Sequence, residues 1–315
     1  MGYDTSVSMD HMWGPRLYLF VTEEDEKNFG RDIEGMLSEN LPYNYKGFST
    51  NYSDTDTEGI SSMQPISEGA IRHLIFVTSL EGFVGRTLGP QWQGDLSTKG
   101  WLGALDQSLI ELVAGEIYYD GLGTLNTMRS HLKFFPMDVA RVRLAALWQG
   151  IAQEMAFVGR NRDTGDLLSV KMISSRLVNI LMKMCFYLEK QYIPYSKWFG
   201  HGFKQLNCYE VMAPIFESVL TANDATQVEC HLAKAYEQVL ALQNLTDFTR
   251  APVDAQVTDY YGRPYKVMFP ERICRALLEP VKAPSLKSVK LDDVALLVTA
   301  NGIDISNYSQ WISGK

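Results

Sequence analysis

The sequence predicts an α+β protein in which a small mixed sheet is followed by a helical bundle. Short apolar runs between polar loops fill the first 95 residues, and apolar stripes at helical spacing dominate from about residue 98. The chain has 315 residues, of which 46% are hydrophobic, and this suits two domains better than one. We predict a sheet domain at 1–95, a bundle at 96–250 and an extension packed on the bundle at 251–315.

The first region alternates strand signals with helix signals. Leu17–Val21 is a short apolar run and predicts a buried strand. Thr22, followed by Glu23, Glu24 and Asp25, predicts the N-cap of a helix that ends near Pro42. Residues 51–68 have no period and are rich in Ser, Thr, Asp and Gly, which predicts a long mobile loop. The other predicted elements are strands at Tyr43–Phe48 and Ile71–Val77 and a short helix at Leu80–Gly89.

The middle of the chain is helical by its apolar spacing. One long helix begins after Pro136, a residue that favours the start of a helix because it lacks an N–H. A second follows the turn at Asp163–Asp166 and stops at Pro194. Further helices are predicted at Tyr195–Leu206, Tyr209–Leu220, Asp224–Leu245 and Pro270–Leu278, a short strand at Lys266–Phe269, and a linker at Pro280–Lys290.

Composition excludes several classes of protein. The net charge is −8 without a basic run, so nucleic acid is not the favoured partner. No segment is apolar for the roughly 18 residues of a membrane span, and the start does not resemble a signal peptide, which predicts a cytoplasmic protein without a membrane partner. The four cysteines form no C-x-x-C pair and are predicted to be buried, reduced thiols: Cys185, Cys208, Cys230 and Cys274. No oligomeric state is predicted.

The opening run carries the chemistry that can be read from the residues. From Gly2 to Pro15 it reads G-Y-D-T-S-V-S-M-D-H-M-W-G-P. In an extended segment Ser8, Asp10 and Met12 would share one face, because residues two apart point the same way. Two acids at that spacing would hold a hard divalent cation, but this face carries one acid and a thioether. His11 would lie on the opposite face, where a packed or capping role is favoured over a role as base.

This run resembles that of an uncharacterised bacterial family, labelled only as a domain of unknown function, whose first half is nucleotidyltransferase-like. The family's run reads G-[YF]-D-x-x-x-S-x-D-H-D-W-G-P. Trp148–Arg160 is similar to a helix of the family, and Tyr195–Gly200 is similar to its P-Y-S-K-W block. The resemblance covers roughly the whole chain and leaves the substrate open.

The resemblance implies transfer of a nucleotidyl group from ATP or another nucleoside triphosphate to a small-molecule substrate. Such chemistry depends on positioning and on divalent metals that neutralise phosphate charge. Asp10 is then the expected catalytic residue and metal ligand, while the sulfur of Met12 is a poor partner for Mg²⁺. The strand at Arg72–Val77, where a third acid is expected, has no carboxylate. Binding of Mg²⁺ is therefore predicted to be weak or absent.

The resemblance also implies a Gly-Ser turn upstream of this run, so the sheet is predicted to be N-terminally truncated. A fragment, a misassigned start and a lost turn all stay open as explanations.

A second polar cluster is predicted in the bundle. Gln149 and Gln153 are four apart and share a helix face, and Arg176 and Lys183 share a face of the next helix. If these helices are antiparallel neighbours, their polar groups converge. Lys197 lies among aromatic residues near a helix start, where it could hold phosphate or a polar acceptor. The predicted nucleotide- or substrate-binding residues are Ser8, Gln153, Glu154, Arg160, Tyr195 and Lys197.

Three functional hypotheses follow. The leading one is a nucleotidyltransferase-like protein, either active or a degenerate relic, with its ligand in a cleft between sheet domain and bundle. The alternative is a pseudoenzyme that binds a nucleotide or small ligand without catalysis. The third is a structural or regulatory partner, which predicts no nucleotide binding. The feature that separates the first two hypotheses is whether the surroundings of Asp10 can hold a metal.

Overall fold

Strands and helices both occur in the chain, which confirms the predicted α+β class. The computed structural model describes residues 2–3, 12–57, 59–254 and 256–299. The chain divides into one unit of Met1–Gly94 with Ala114–Ser130 and a second of Asp95–Val113 with His131–Lys315. Over the described ranges, every helix is too short or too polar to cross a membrane.

The first unit is built around a parallel pair of strands. Its elements are β1 (Arg16–Val21), α1 (Glu23–Asn40), β2 (Asn44–Tyr45), β3 (Phe48–Ser49), β4 (Leu74–Ser79), α2 (Leu80–Leu88) and a 3-10 turn at Gly89–Gln91. β1 and β4 run parallel, with Tyr18 opposite Phe76. Parallel strands need a crossover connection, which α1 and the segment after it supply.

Most predicted elements of this unit exist, with changed limits. Thr22 caps α1 as predicted, because its Oγ1 accepts a hydrogen bond from the N–H of Asp25 at 3.1 Å. The predicted strand at Tyr43–Phe48 is instead a tight hairpin of β2 and β3, which turns at Lys46 and Gly47 with φ values of 52° and 89°. The next strand begins at Leu74 and not at Ile71.

The prediction that β1 is buried is wrong. Its first four residues are exposed and its last two are half-buried. No residue of α1, which the structure describes in full, is buried either. An apolar run therefore identified the strand correctly but not its surroundings, since the same run suits a strand whose faces are incompletely covered.

The second unit is a helical bundle with a small hairpin. The remaining helices and strands are α3 (Thr98–Gly103), α4 (Asp106–Val113), α5 (Thr124–His131), α6 (Met137–Asp163), α7 (Leu167–Leu188), α8 (Ser196–Phe203), α9 (Tyr209–Thr221), α10 (Ala225–Asn244), β5 (Thr258–Tyr260), β6 (Arg263–Val267), α11 (Glu271–Leu278), α12 (Pro284–Lys287) and α13 (Leu291–Thr299). All of them lie in this unit except α5, whose residues up to Ser130 belong to the first. α6 and α7 pack against each other and form the centre of the bundle.

The C-terminal part contains more structure than the sequence indicated. The predicted linker at Pro280–Lys290 contains α12, and α13 follows it and packs on α6. The short strand predicted at Lys266–Phe269 lies earlier, as β6. Three cysteines are buried as predicted, but the fourth, Cys230, is exposed.

A buried arginine joins the elements at the centre of this unit. Arg143 on α6 is 1% exposed, and its Nη1 donates to the carbonyls of Leu102 and Ala104 at 2.9 and 3.2 Å. Its Nη2 forms an ion pair with Asp106 at the start of α4, and its Nε donates to the hydroxyl of Tyr187 on α7 at 3.0 Å. One guanidinium thus connects α6, α7 and the α3–α4 connection.

Replacing this arginine is expected to be far more costly than replacing an exposed one. Arg143→Met leaves the carboxylate of Asp106 buried without its cation, and breaking such a pair costs about 3–5 kcal/mol. Arg176→Met is the matched control, because the side chains of Arg176 and its partner Glu154 are 51% and 29% exposed. Loss of an exposed pair costs less than about 1 kcal/mol. Urea unfolding measures both, and equal costs would contradict the central role of Arg143.

Candidate functional site

Residues 12–15, the end of the opening run, form a strained turn before β1, which we call the joint. Ser8 and Asp10, with His11, lie outside the described residues. Met12 has a φ of 53°, Gly14 has a φ of 131°, and the strand begins only at Arg16. The prediction that Met12 continues an extended face is therefore wrong, because its backbone is left-handed. A left-handed methionine is uncommon, since its Cβ crowds the backbone there.

Groups from the loop after the β2–β3 hairpin hold this joint in place. The N–H of Met12 donates to the carbonyl of Ser61 at 3.0 Å. Tyr52 is 1% exposed, and its hydroxyl lies 3.3 and 3.4 Å from the carbonyls of Trp13 and Pro15. Burial raises the pKa of Tyr52, so the hydroxyl keeps the proton that it donates.

That loop is held by its own hydrogen bonds, contrary to the prediction of a free, mobile segment. The Asn51 side chain accepts from the N–H of Arg72 at 2.8 Å and donates to the carbonyl of Gln64 at 2.9 Å. Tyr52 pairs with Met63 in an antiparallel bridge. The loop composition hid these contacts, because Asn and Ser side chains satisfy backbone groups without any periodic pattern.

Gly14 is the residue of the joint that tolerates no side chain. A Cβ on Gly14 would lie 2.4 Å from the Tyr52 hydroxyl and 2.7 Å from the sulfur of Met63. We expect Gly14→Ala to destabilise the first unit and to displace Tyr52. Strained backbone alone costs about 1–3 kcal/mol, and the clash adds to it.

Gly47→Ala is the matched control for this substitution. Gly47 also has a positive φ, of 89°, but nothing lies within 4 Å of the position of its Cβ. It should show only the backbone cost. Thermal unfolding of both variants measures the difference, and the close packing at Gly14 is disproved if the two lose the same stability.

A carboxylate that the sequence analysis missed lies at the carboxyl end of β4. Glu26, in the first turns of α1, accepts from the N–H of Ser79 at 2.6 Å and from the hydroxyl of Thr78 at 3.1 Å. Hydrogen bonds from Ser79 are the main cause that lowers the pKa of Glu26. Arg86 donates to the Thr78 hydroxyl at 2.9 Å. The sequence showed Glu26 only as one of several acids after the Thr22 cap, so no signal distinguished it.

The described residues do not make a full Mg²⁺ site. No group of three His, Cys, Asp or Glu able to hold a metal occurs within the described ranges. β4 carries no carboxylate, and Glu26 is already engaged by Ser79 and Thr78. Mg²⁺ prefers oxygen ligands, so the thioether of Met12 does not replace the missing acid.

Of the polar cluster predicted between the two long helices, the described contacts bring together Glu154 and Arg176 alone. Glu154 on α6 and Arg176 on α7 make a two-pronged ion pair, with contacts of 2.8 to 3.1 Å. The side-chain amides of Gln149 and Gln153 donate to Asp292 on α13 at 3.1 and 3.4 Å. These residues therefore meet a helix that the sequence analysis missed.

Lys183 and Arg160 do not join that ion pair among the described contacts. Lys183 is 2% exposed and donates to the carbonyls of Val298 and Thr299, each at 3.0 Å, so it caps the end of α13. Burial lowers the pKa of Lys183 to about 8. Arg160 is exposed in the last turn of α6.

The Tyr195–Gly200 block lies where α8 begins. The N–H of Tyr195 donates to the side chain of Gln107 at 3.2 Å, and that of Ile193 donates to Asp106 at 3.0 Å. Lys197 is exposed, with its ammonium 5.2 Å from the ring centre of Trp198. Over the described ranges, no contact joins Lys197 to the Glu154–Arg176 pair. The start of α4 therefore positions this block separately from the cluster.

An open groove of about 540 Å³ lies on the second unit where α6 meets α11. Its lining includes Gln149, Cys274 and two acids, Glu271 and Glu279. Burial raises the pKa of the Cys274 thiol to about 12, so this thiol is not a nucleophile. Glu271 and Glu279 outnumber the one cation of the lining, Arg275, so the groove is a poor place for a phosphate.

Comparison with known families gives one match. The model of a family described as a domain of unknown function (DUF4037) matches residues 101–199. This range contains Trp148–Arg160 and most of Tyr195–Gly200, but not the opening run. Neither the curated proteins nor the solved structures contain a match to the chain. A DUF4037 domain is thus present, and its label names no activity.

Proposed function

We propose that the chain is a nucleotidyltransferase-like protein that binds ATP or another nucleoside triphosphate at the joint before β1. Transfer of the nucleotidyl group to a small molecule would be weak or already lost. The observation that carries the proposal is the strained joint, in which Met12 and Gly14 both have positive φ. Strained backbone persists only where the surroundings enforce it, and it is concentrated at functional sites.

The support for this joint is specific and buried. Tyr52 reaches two carbonyls of the joint, and Met12 is bonded to Ser61. Both contacts come from the loop after the β2–β3 hairpin, so the surroundings enforce the backbone geometry of Met12 and Gly14. A segment held in this way can present groups to a ligand.

The metal chemistry of the proposal is limited by the residues present. Asp10 is the only acid of the expected D-x-D pair, and a single carboxylate with phosphate oxygens holds Mg²⁺ weakly. Two ions that clamp the attacking and leaving oxygens need more carboxylates than these. The bundle residues Glu154 and Arg176 pair with each other, and the proposed site at the joint includes neither of them.

The residue at position 12 gives a direct test. In the family that the opening run resembles, this position is Asp, and Asp adopts left-handed backbone more readily than Met. Met12→Asp therefore suits the observed φ of 53° and adds an oxygen ligand. We expect Met12→Asp to bind ATP with Mg²⁺ about tenfold more tightly than the unaltered chain, which equals about 1.4 kcal/mol. Calorimetric titration measures this.

Met12→Asn is the matched control, because Asn accepts the same backbone but adds no negative charge. With EDTA in place of Mg²⁺, Met12→Asp should bind ATP more weakly than Met12→Asn, since a second carboxylate then repels phosphate. The proposal is wrong if neither the unaltered chain nor either variant binds ATP. If Met12→Asp and Met12→Asn gain the same affinity for ATP, the gain comes from the backbone conformation and not from a metal ligand.

A further inference from the structure

One face of the parallel strand pair in the first unit carries a cluster of aromatic rings. Tyr18 and Phe76 are opposite each other in the register, with ring centres 5.2 Å apart and planes inclined by 29°. Phe83 of α2 lies 4.6 Å from Tyr18, and Phe20 lies 5.9 Å from it with nearly parallel planes. The four residues form one continuous aromatic platform.

This platform is not a closed core. Tyr18 is 48% exposed and Phe76 is 36% exposed, although both stand in the middle of their strands. Phe83 contacts both Tyr18 and Phe20 but leaves Tyr18 half-exposed. Contiguous exposed aromatic surface of this kind marks a candidate binding surface.

An exposed arginine, Arg16, lies at the start of the same face. Arg16 is two residues before Tyr18 on β1, so the two side chains leave the strand on the same side, about 6.6 Å apart along it. Arg16 is exposed, and among the described residues it forms no ion pair. Arg86, at the other end of the face, is instead engaged by Thr78 and lies near the carboxylate of Glu26.

We propose that the base of the nucleotide stacks on Tyr18 and Phe76 while a phosphate binds Arg16. Stacking on aromatic side chains suits every base, because each base has a π-face. A guanidinium suits phosphate, because it presents paired N–H donors. This inference rests on the proposed function and places its phosphates beside the joint of Met12 and Gly14, immediately before Arg16.

A second copy of the chain is the main competing occupant. The net charge of −8 opposes self-association. The exposed Arg16 next to apolar rings fits a planar, anionic ligand, whereas an identical face offers a second cation and no anion.

The test is calorimetric titration of the full chain with three probes: adenosine, inorganic triphosphate and ATP. Tyr18→Leu keeps an apolar side chain but removes the ring, and it should weaken adenosine and ATP about tenfold without changing triphosphate. Arg16→Gln should weaken triphosphate and ATP without changing adenosine. Tyr118→Leu is the control, because Tyr118 belongs to the same unit, is 87% exposed, and has no ring contact with the platform among the described residues.

The outcomes separate this inference from the proposed function. If ATP binds and Tyr18→Leu changes nothing, the platform is overturned and the nucleotide site at the joint stands. If none of the probes binds the unaltered chain, both the platform and the proposed nucleotide site at the joint are overturned. Sedimentation adds one more outcome: a dimer that Tyr18→Leu converts to monomer would make this face a self-association surface and overturn the platform.

Discussion

The hydrogen bonds from Tyr52 to the backbone before β1 are the constraint on which the candidate site depends. They close the loop after the β2–β3 hairpin over Gly14, and no side chain fits at that position. The joint leads directly into β1, whose register with β4 places Tyr18 opposite Phe76. The left-handed Met12 is held by a separate hydrogen bond, from its N–H to the carbonyl of Ser61.

The second unit depends on a different buried contact. Arg143 and Asp106 fix α4 against α6, and Asp106 also holds the segment that leads into α8. Residues 101–199, which match the family model, contain both of these residues and the block at Tyr195. The matched region therefore includes the ion pair that joins α4 to α6.

The helices were predictable from the sequence to a large extent, because apolar spacing and capping residues are local signals. Thr22 and Pro136 marked helix starts correctly. Burial was not predictable for β1, since an apolar run does not say what covers it. α13 was missed because it is short and follows a segment with the composition of a linker, although it satisfies Gln149, Gln153 and Lys183.

The site was predictable only where chemistry depends on residue identity. Met12 in place of an acid could be read from the sequence, and this substitution alone weakens the metal hypothesis. The role of Tyr52 could not be read, because it depends on a contact 39 residues apart in the chain. The contact of Glu26 with Ser79 is 53 residues apart and was invisible for the same reason.

Hydrogen exchange of the full chain, with and without ATP and Mg²⁺, tests most directly where the ligand binds. The account predicts slower exchange in peptides that cover residues 12–21 and 48–64, which form the joint, β1 and the loop that holds them. Slower exchange confined to residues 190–203 would instead place the ligand at the start of α8. That result, or no change in either region, would contradict a nucleotide site at the joint.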